Sequence, residues 1–347
     1  MTENPPPDGR MAKWILLLTL FLVAAARIAA GQEVDNPPAE TLYEKAKAAS
    51  VEILVDDHMG GSGWFADPQG LLFTASHVIS RPGRRIEVLS PEVGRIDAQV
   101  VAVDLGHDLA LLRVESREGG YPALKLAECV PPPGERVFLF GAPIFRSAVL
   151  LPGTVARDNT VFGYYTERYV EITHIAATVQ GGTSGGPWLS EQGEAIGLQS
   201  GTISLKSVPV GIANVIPIEP IRALLKSQRT TATPTMGAAI EETWQQQRDF
   251  LDRFAPRTEG LVVRILKSDG PAVRAGLKQW DVITAADDQP VRLSGQLLRI
   301  IRAKQPGDSV KLSVLGPDGT GRREVTVRLG KLEAGWPQPE DASDAEK

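Results

Sequence analysis

The hydrophobic positions between residues 51 and 216 fall in short runs separated by Gly, Pro and Asp. Short runs rich in Val, Ile, Leu and Phe, with turn residues between them, predict β-strands. Many such strands with few helices predict a mainly β domain, either a barrel or a sandwich. An amphipathic stretch, "PIEPIRALLKSQ", follows them and predicts a helix. The clearest strand-like runs are "VEILV", "LLFTA", "RRIEVLS", "AQVVAV", "LALLRV", "RVFLFG", "YVEITHI", "AIGLQSG" and "GIANVIPI".

A different pattern begins after "RTTATPT", residues 229–235, a polar segment with a proline that we interpret as a linker. Beyond it, strand-like and helix-like stretches alternate, which predicts a compact α+β domain. The acidic, proline-bearing end of the chain is predicted to be disordered. The expected segments are an N-terminal signal or anchor, a β domain, a linker, an α+β domain and a tail, at residues 1–31, 32–228, 229–235, 236–331 and 332–347.

The N-terminal segment "RMAKWILLLTLFLVAAARIAAGQ" has Arg10 and Lys13, then an apolar run, then small residues. This order is typical of a secretory signal peptide, with cleavage after Ala30 or Gly31. The apolar run is short for a membrane span and is interrupted by Arg27, but an uncleaved membrane anchor is the alternative. On either interpretation the rest of the chain is expected outside the cytoplasm, periplasmic or secreted.

Charge and cysteine content exclude two classes of function. The formal net charge is -5, and Lys and Arg are scattered rather than gathered in a stripe, so nucleic-acid binding is not expected. The single cysteine, Cys129, excludes an intrachain disulfide, and no His or second Cys is spaced near it for metal or redox chemistry. We therefore expect no metal and no cofactor.

The stretch "VQGGTSGGPWL", residues 179–189, surrounds Ser184 with four glycines. It is either a pliable surface turn or a loop that holds backbone amides and a hydroxyl around a reacting carbonyl. A serine hydroxyl is a weak nucleophile at neutral pH, and it needs a general base with a group that orients this base. The second interpretation therefore requires a histidine and an acid elsewhere in the chain.

Four histidines are candidates for the base. In "GLLFTASHVIS", an apolar strand and a small-residue turn would present the imidazole of His77 at the strand end. The surroundings of His58 are typical of a solvated loop, those of His107 are typical of a turn, and His174 lies within a strand. His77 is therefore the best base.

The segment "VDLGHDLALLRV" offers Asp104 and Asp108 as the acid. Asp108 directly precedes an apolar strand, which would carry it to the edge of the core. A buried carboxylate there fixes the tautomer of a histidine and stabilises its protonated form. Asp104, close to Gly106, is more typical of a turn. Asp108 is therefore the better choice.

Taken together, "GSGWFADPQGLLFTASHVI", "HDLALLRV" and "GGTSGGP" resemble the three signature segments of trypsin-like serine proteases of the HtrA (Deg) type. The resemblance extends over residues 38–330. It implies a mainly β chain, a trypsin-like double β-barrel followed by an α+β PDZ domain. It also implies that His77 is the general base, Asp108 its orienting acid and Ser184 the nucleophile.

The same resemblance implies an oxyanion hole formed by the amides of Gly182 and Ser184. Two amides that point at one oxygen need a backbone turn that Gly182 adopts without strain. Gly185 and Gly186 are expected to leave room for the substrate peptide. The strand from Leu198 to Ser200 is expected to pair with the substrate backbone, beside a pocket without an acidic residue. The expected substrate-binding residues are Thr178, Leu198, Gln199, Ser200 and Gly201.

Thr183 stands where the digestive branch of the family has an aspartate that pairs with a newly cleaved N-terminus. A threonine cannot form that ion pair. We therefore predict no zymogen processing of this kind, and we expect any switching to come from loop ordering.

The stretch "GPAVRAGLKQWDVITAADDQPV" resembles the helix, turn and strand of a PDZ domain of the same family. Trp280 and Asp288 stand where the family has glycine, so we expect those two turns to be rebuilt. A domain that only packs on the protease is the alternative to a peptide-binding one. The loop expected to bind peptide C-termini comprises Met236, Gly237, Ala238 and Ala239.

The resemblance implies an extracytoplasmic serine endopeptidase that cleaves unfolded or damaged proteins through an acyl-enzyme, in protein quality control. It also implies a homotrimer or a multiple of one. A non-catalytic peptide-binding chaperone or adaptor on the same scaffold is the alternative, and the presence of all three triad residues favours the enzyme. A membrane-tethered scaffold that acts through the PDZ domain would require an uncleaved N-terminal segment.

Overall fold

The computed structural model describes residues 41–80, 84–165 and 167–333. The predicted signal peptide or anchor at 1–31 and the predicted tail beyond 333 lie outside the described residues. The described residues from Leu42 onward form one compact unit. In the part of the chain that the structure describes, no helix is long and apolar enough to cross a membrane.

Six antiparallel strands close the first barrel in the order β1-β2-β3-β6-β5-β4. Helix α1 (Leu42–Ala49) leads into it, and a single 3-10 turn (Ser76–Ile79) follows β3. β3 is buried at all of its positions and is apolar except for Thr74. The strands are β1 (Ser50–Val55), β2 (His58–Phe65), β3 (Leu71–Ala75), β4 (Ile86–Ser90), β5 (Gly94–Asp104) and β6 (Leu109–Val114).

The second barrel is a sheet ordered β13-β12-β11-β7-β8-β10-β9, which closes where β10 pairs with β13. A 3-10 turn (Pro143–Phe145) follows β7, and helix α2 (Ile218–Ser227) ends the domain. The predicted double β-barrel is therefore confirmed. The strands are β7 (Arg136–Gly141), β8 (Val149–Val155), β9 (Val161–Tyr165), β10 (Arg168–Ala176), β11 (Pro187–Leu189), β12 (Ala195–Leu205) and β13 (Val208–Pro217).

The C-terminal module is a sheet ordered β15-β16-β17-β19-β20, in which β15 is an edge strand. A short strand, β18, pairs with β17, and β14 pairs with β21. The predicted α+β domain is confirmed. Its elements are β14 (Pro234–Thr235), β15 (Ala238–Glu242), a 3-10 turn (Thr243–Gln245), α3 (Arg248–Leu251), β16 (Leu261–Leu266), α4 (Pro271–Arg274), β17 (Val282–Ala286), β18 (Gln289–Pro290), α5 (Ser294–Arg302), β19 (Ser309–Leu315), β20 (Arg323–Arg328) and β21 (Gly330–Lys331).

The segments on either side of this module make hydrogen bonds and packing contacts that the sequence does not predict. The amide of Thr231, in the predicted linker, donates to the carbonyl of Val103 in β5 at 2.9 Å. Leu332, at the predicted start of the disordered tail, is 8% exposed, and its amide donates to the carbonyl of Thr233 at 2.8 Å. The placement of the tail's start at 332 was therefore wrong, because Leu332 still packs against the module.

The turns at Trp280 and Asp288 are not rebuilt, contrary to expectation. Both residues keep the left-handed backbone that glycine favours, with φ of 72° and 62°. Such a conformation costs a bulky residue about 1–3 kcal/mol. The Trp280 ring offsets this cost by packing on Phe250 at 5.5 Å between centroids, with the Arg264 guanidinium 4.5 Å above it.

Candidate active site

The turn after β3 places His77 against Asp108, which immediately precedes β6. The Nδ1 atom of His77 lies 2.7 Å from Oδ2 of Asp108, and the amide of His77 donates to Oδ1 at 3.0 Å. The side chain of Asp108 is fully buried, whereas that of His77 is 28% exposed. Because Nδ1 faces the carboxylate, Nε2 is the nitrogen left for proton transfer.

Asp108 itself has a strained backbone, with φ of 55° in the left-handed region. Its carbonyl accepts a hydrogen bond of 2.8 Å from the amide of Ser76, which ties the start of β6 to the turn that carries His77. Strained backbone of this kind is concentrated at functional sites, where surrounding contacts hold it in place.

The buried carboxylate of Asp108 and the imidazole of His77 shift each other's pKa. Burial raises the pKa of Asp108, but the charge and hydrogen bond of His77 and the charge of Arg168 outweigh it, so this pKa lies well below its ordinary range. Burial lowers the pKa of His77, while the charge and hydrogen bond of Asp108 raise it by more, against a smaller opposing effect of Arg168. Asp108 is therefore ionised at neutral pH and favours a protonated His77.

Ser184 lies in the loop between β10 and β11 and is joined to Asp108 through Ser200. The Ser184 hydroxyl donates to the carbonyl oxygen of Ser200 at 3.1 Å, and the Ser200 hydroxyl donates to Oδ2 of Asp108 at 2.7 Å. Within the described residues, Ser184 makes no hydrogen bond to His77. Its hydroxyl must leave Ser200 before it can donate to the imidazole, which is common in unliganded active sites.

The loop around Ser184 needs glycine at position 182. Gly182 has φ of 95°, and a Cβ there would lie 2.3 Å from the carbonyl oxygen of Ala142. The buried hydroxyl of Ser62 donates to the carbonyl of Gly182 at 2.8 Å, and the amide of Ser62 donates to the carbonyl of Ser184 at 2.7 Å. Among the described residues, the amides of Gly182 and Ser184 have no acceptor in the protein. Both amides remain available to an oxygen of a ligand.

Gly185 and Gly186 lie against the backbone of neighbouring strands. A Cβ on Gly185 would lie 2.0 Å from the carbonyl oxygen of Ser62, and one on Gly186 would lie 2.4 Å from that of Phe140. Close packing on the protein's own strands is therefore one reason for both glycines, and their expected role in leaving room for the substrate stays a prediction.

The expected pairing of the substrate with Leu198 and Gln199 was wrong. Leu198 is fully buried and pairs with strands on both sides. The amide of Gln199 donates to the carbonyl of Gly186 at 2.9 Å, and its carbonyl accepts from Gly185 at 2.7 Å. Both edges of β12 are therefore occupied at these positions. Of the remaining expected residues, Thr178 is exposed and Gly201 is half-buried.

Three side chains that the sequence did not indicate also contact the Asp108 carboxylate. The hydroxyl of Ser76 donates to Oδ1 at 2.8 Å, Arg168 Nη2 donates to Oδ1 at 3.1 Å, and the Tyr165 hydroxyl donates to Oδ2 at 3.2 Å. Ser76 adjoins His77, so its position in the turn is a usable signal. Arg168 and Tyr165 reach the site through the pairing of β9 with β10, which no local pattern shows.

The loop expected to bind peptide C-termini starts inside the module's core. Met236 is 3% exposed, and its carbonyl accepts from the amide of Ala272 at 2.8 Å. Its side chain is therefore not available to a peptide. Gly237 has φ of 68°, and its amide donates to the Thr235 hydroxyl at 3.1 Å. Ala238 and Ala239 pair with β16.

The other histidines lie outside this site. His107 contacts Asp104 Oδ2 through Nδ1 at 2.9 Å and Glu171 Oε2 through Nε2 at 3.5 Å. Burial lowers the pKa of His107, but the hydrogen bonds to these two carboxylates raise it to about 9. Over the ranges that the structure describes, no cluster of His, Cys, Asp and Glu is arranged to hold a metal ion.

A double β-barrel with a histidine–aspartate pair beside a glycine-rich serine loop defines a trypsin-like peptidase domain. Residues 61–198 match the family "Trypsin-like peptidase domain", and residues 236–328 match the family "PDZ domain". The chain therefore carries a trypsin-like peptidase domain followed by a PDZ domain, and the predicted resemblance to the HtrA (Deg) type is confirmed.

Relatives in two bacteria are named "Probable periplasmic serine endoprotease DegP-like". The protein of Ectopseudomonas mendocina (strain ymp) is 27% identical over 277 residues, which cover 78% of this chain and 56% of the relative. That of Halomonas elongata is 29% identical over 283 residues, which cover 80% of this chain and 56% of the relative. The chain thus spans about half the length of these relatives.

Solved structures support the fold. The HtrA-type protease AlgW with a decapeptide superposes with a TM-score of 0.60 at 20% identity, over 84% of this chain and 98% of that one. The serine endoprotease from Yersinia pestis superposes with a TM-score of 0.57 at 20% identity, over 84% and 97%.

Proposed function

We propose that this chain is a serine endopeptidase in which Ser184 is the nucleophile, His77 the general base and Asp108 the group that orients His77. The observation that carries the proposal is the Ser200 bridge. Its carbonyl holds the Ser184 hydroxyl at 3.1 Å, while its own hydroxyl holds Asp108 at 2.7 Å. The bridge joins the serine loop of the second barrel to the histidine–aspartate pair of the first.

In this mechanism Nε2 of His77 takes the Ser184 proton as Oγ bonds to the scissile carbonyl carbon. The carbonyl π electrons move onto the oxygen, and the amides of Gly182 and Ser184 donate to that oxyanion. Collapse of the intermediate breaks the C–N bond, and His77 gives the proton to the leaving amine. His77 then deprotonates a water that hydrolyses the acyl-enzyme and returns the proton to Ser184.

Casein degradation by the full chain tests the assignment. We expect Ser184→Ala to abolish degradation, whereas Ser116→Ala, at an exposed serine, leaves it unchanged. A fluorophosphonate probe should label the chain at Ser184, and His77→Ala should abolish that labelling. Equal degradation by the wild type and Ser184→Ala would contradict the proposal and favour a chaperone or adaptor.

We propose that the substrates are unfolded or damaged proteins outside the cytoplasm. The periplasmic names of the relatives and the predicted N-terminal signal support this location. Faster cleavage of an unfolded protein than of its folded form is expected. The mass of the mature protein from membrane and soluble extracellular fractions tests cleavage of the signal against anchoring. The family resemblance supports a homotrimer, which native mass spectrometry tests.

We propose that the PDZ domain binds peptide C-termini beside Gly237. A cavity of about 200 Å³ there is lined by three cationic and two acidic side chains, and the excess of positive charge would favour a carboxylate. The cations are Lys267, Arg274 and Lys331, and the acids are Asp269 and Glu333. Fluorescence polarisation should show binding of a labelled peptide with a free C-terminus and at least tenfold weaker binding, roughly, of the same peptide amidated. Equal binding of the two peptides would favour a PDZ domain that only packs on the protease.

A further inference from the structure

Arg168 brings a second cation to the carboxylate that faces His77. Its Nη2 atom lies 3.1 Å from Oδ1 of Asp108 and 3.1 Å from the hydroxyl of Ser76. The Arg168 side chain is 10% exposed and that of Asp108 is fully buried, so water screens this ion pair little. Among the described residues, Nε of Arg168 is buried without a partner. The guanidinium thus keeps its contact with Asp108 although one of its own donors, Nε, has no hydrogen-bond partner among the described residues.

The orientation of Asp108 does not depend on Arg168, because each oxygen of the carboxylate has at least two other donors. Oδ1 accepts from the Ser76 hydroxyl and the His77 amide. Oδ2 accepts from Nδ1 of His77 and from the hydroxyls of Ser200 and Tyr165. What Arg168 adds to the site is therefore mainly positive charge.

That charge has the wrong sign for the proposed reaction. When His77 takes the Ser184 proton it becomes an imidazolium, and the negative charge of Asp108 stabilises it. A guanidinium paired with the same carboxylate neutralises part of that charge and repels the imidazolium. The proton transfer then becomes less favourable.

We propose that Arg168 restrains the activity of the His77–Asp108 pair. Its guanidinium, held against Asp108, neutralises part of the carboxylate charge that would otherwise stabilise the His77 imidazolium, so proton transfer from Ser184 is less favourable. Arg168 is a positioning residue in this scheme, since it acts through Asp108 and does not contact the substrate. The inference rests on the proposed endopeptidase function.

The next residue along β10 is anchored in the PDZ domain, which holds Arg168 in place. The Tyr169 hydroxyl bonds the amide and carbonyl of Ile240, and Arg302 Nη2 donates to the carbonyl of Tyr169 at 2.7 Å. The position of Arg168 therefore depends on the contacts that β10 makes with both the active site and the PDZ domain.

The pH dependence of kcat/KM for an unstructured peptide tests the restraint. In Arg168→Met, removal of the cation should raise the pKa of His77, so the acid limb moves to higher pH. The plateau should rise roughly three- to tenfold, because the imidazolium is better stabilised. Arg168→Lys, which keeps the charge, should behave like the wild type. A lower plateau in Arg168→Met, or an unmoved acid limb, would overturn the proposal.

A second measurement separates this inference from the endopeptidase proposal. The His77 imidazole can be titrated by NMR in Ser184→Ala and in Ser184→Ala combined with Arg168→Met, and neither variant needs to be active. A higher pKa in the double variant supports the restraint even if casein is not cleaved. If Arg168→Met does not fold, Arg168→Gln, which keeps a neutral donor, replaces it. An unchanged titration then overturns the inference.

Discussion

The hydroxyl of Tyr169 accepts a hydrogen bond from the amide of Ile240 at 2.8 Å and donates one to the carbonyl of the same residue at 3.0 Å. Tyr169 belongs to β10 of the second barrel, and Ile240 belongs to β15, the edge strand of the PDZ domain. One side chain thus satisfies both main-chain groups at an edge where an added peptide strand would bind. It also ties the two domains together.

Tyr169→Phe should loosen this contact. Loss of the hydroxyl leaves the amide and carbonyl of the buried Ile240 unpaired, which costs about 1–3 kcal/mol of unfolding free energy. Hydrogen exchange of the Ile240 amide should become faster. Tyr164→Phe is the matched control, because the Tyr164 ring packs on that of Tyr169 with 4.9 Å between ring centroids and is more exposed. Equal exchange in the two variants would show that the hydroxyl does not hold β15.

Ser62→Ala should impair the loop around Ser184. The Ser62 hydroxyl donates to the carbonyl of Gly182 and accepts from the amide of Ala142. Loss of this support should lower kcat for peptide cleavage roughly tenfold or more. Ser50→Ala removes a buried hydroxyl that has no partner among the described residues, so it should leave kcat unchanged. A Ser62→Ala enzyme with the wild-type kcat would show that the loop keeps its shape without this serine.

The pH dependence of cleavage follows from His77. Only neutral His77 can take the Ser184 proton, and its pKa is raised above the ordinary 6.5 by Asp108. We expect kcat/KM to rise with pH through a midpoint above 6.5. A steady-state profile with an unstructured peptide measures this midpoint. A value at or below 6.5 would contradict the raised pKa.

His107 should make folding stability depend on pH. Its pKa rises from 6.5 to about 9 on folding, so its protonated form stabilises the native state. The contribution is complete below 6.5 and is lost as pH rises through 9. The facing groups are Asp104, Glu171 and Arg302.

The expected loss is on the order of 2–3 kcal/mol of unfolding free energy between pH 6 and pH 10. Denaturant unfolding at several pH values measures it. His107→Gln should remove most of this pH dependence, whereas His58→Gln, at an exposed histidine, should retain it. The same slope in all three proteins would exclude His107 as its source.

Activity should not depend on the N-terminal residue. Thr183 carries no charge, and its hydroxyl donates to the carbonyl of Gln180 at 2.7 Å, so the loop is supported locally. Chains that begin at residue 32, 36 or 41 should therefore cleave a peptide with the same kcat/KM. An enzyme that required one particular N-terminus would contradict the absence of zymogen processing.

The candidate residues of the proposed triad were visible in the sequence because each lies beside a strong local pattern. His77 lies in the turn that follows the buried strand β3, Asp108 immediately precedes the apolar strand β6, and Ser184 is surrounded by glycines. The glycines themselves were harder to interpret. Close contact of Gly185 with the backbone of Ser62 depends on two barrels meeting, and a single stretch of sequence does not contain that information.

The sequence by itself determined the two domains, their strands and the candidate residues of the proposed triad, since apolar periodicity, turn residues and short motifs act over neighbouring positions. Only the tertiary structure decided which charges meet at Asp108. Arg168 is 60 residues away along the chain and reaches the carboxylate because β9 and β10 form a hairpin beside the first barrel. Electrostatic contacts depend on distance in space, and strand pairing sets that distance only once the chain has folded.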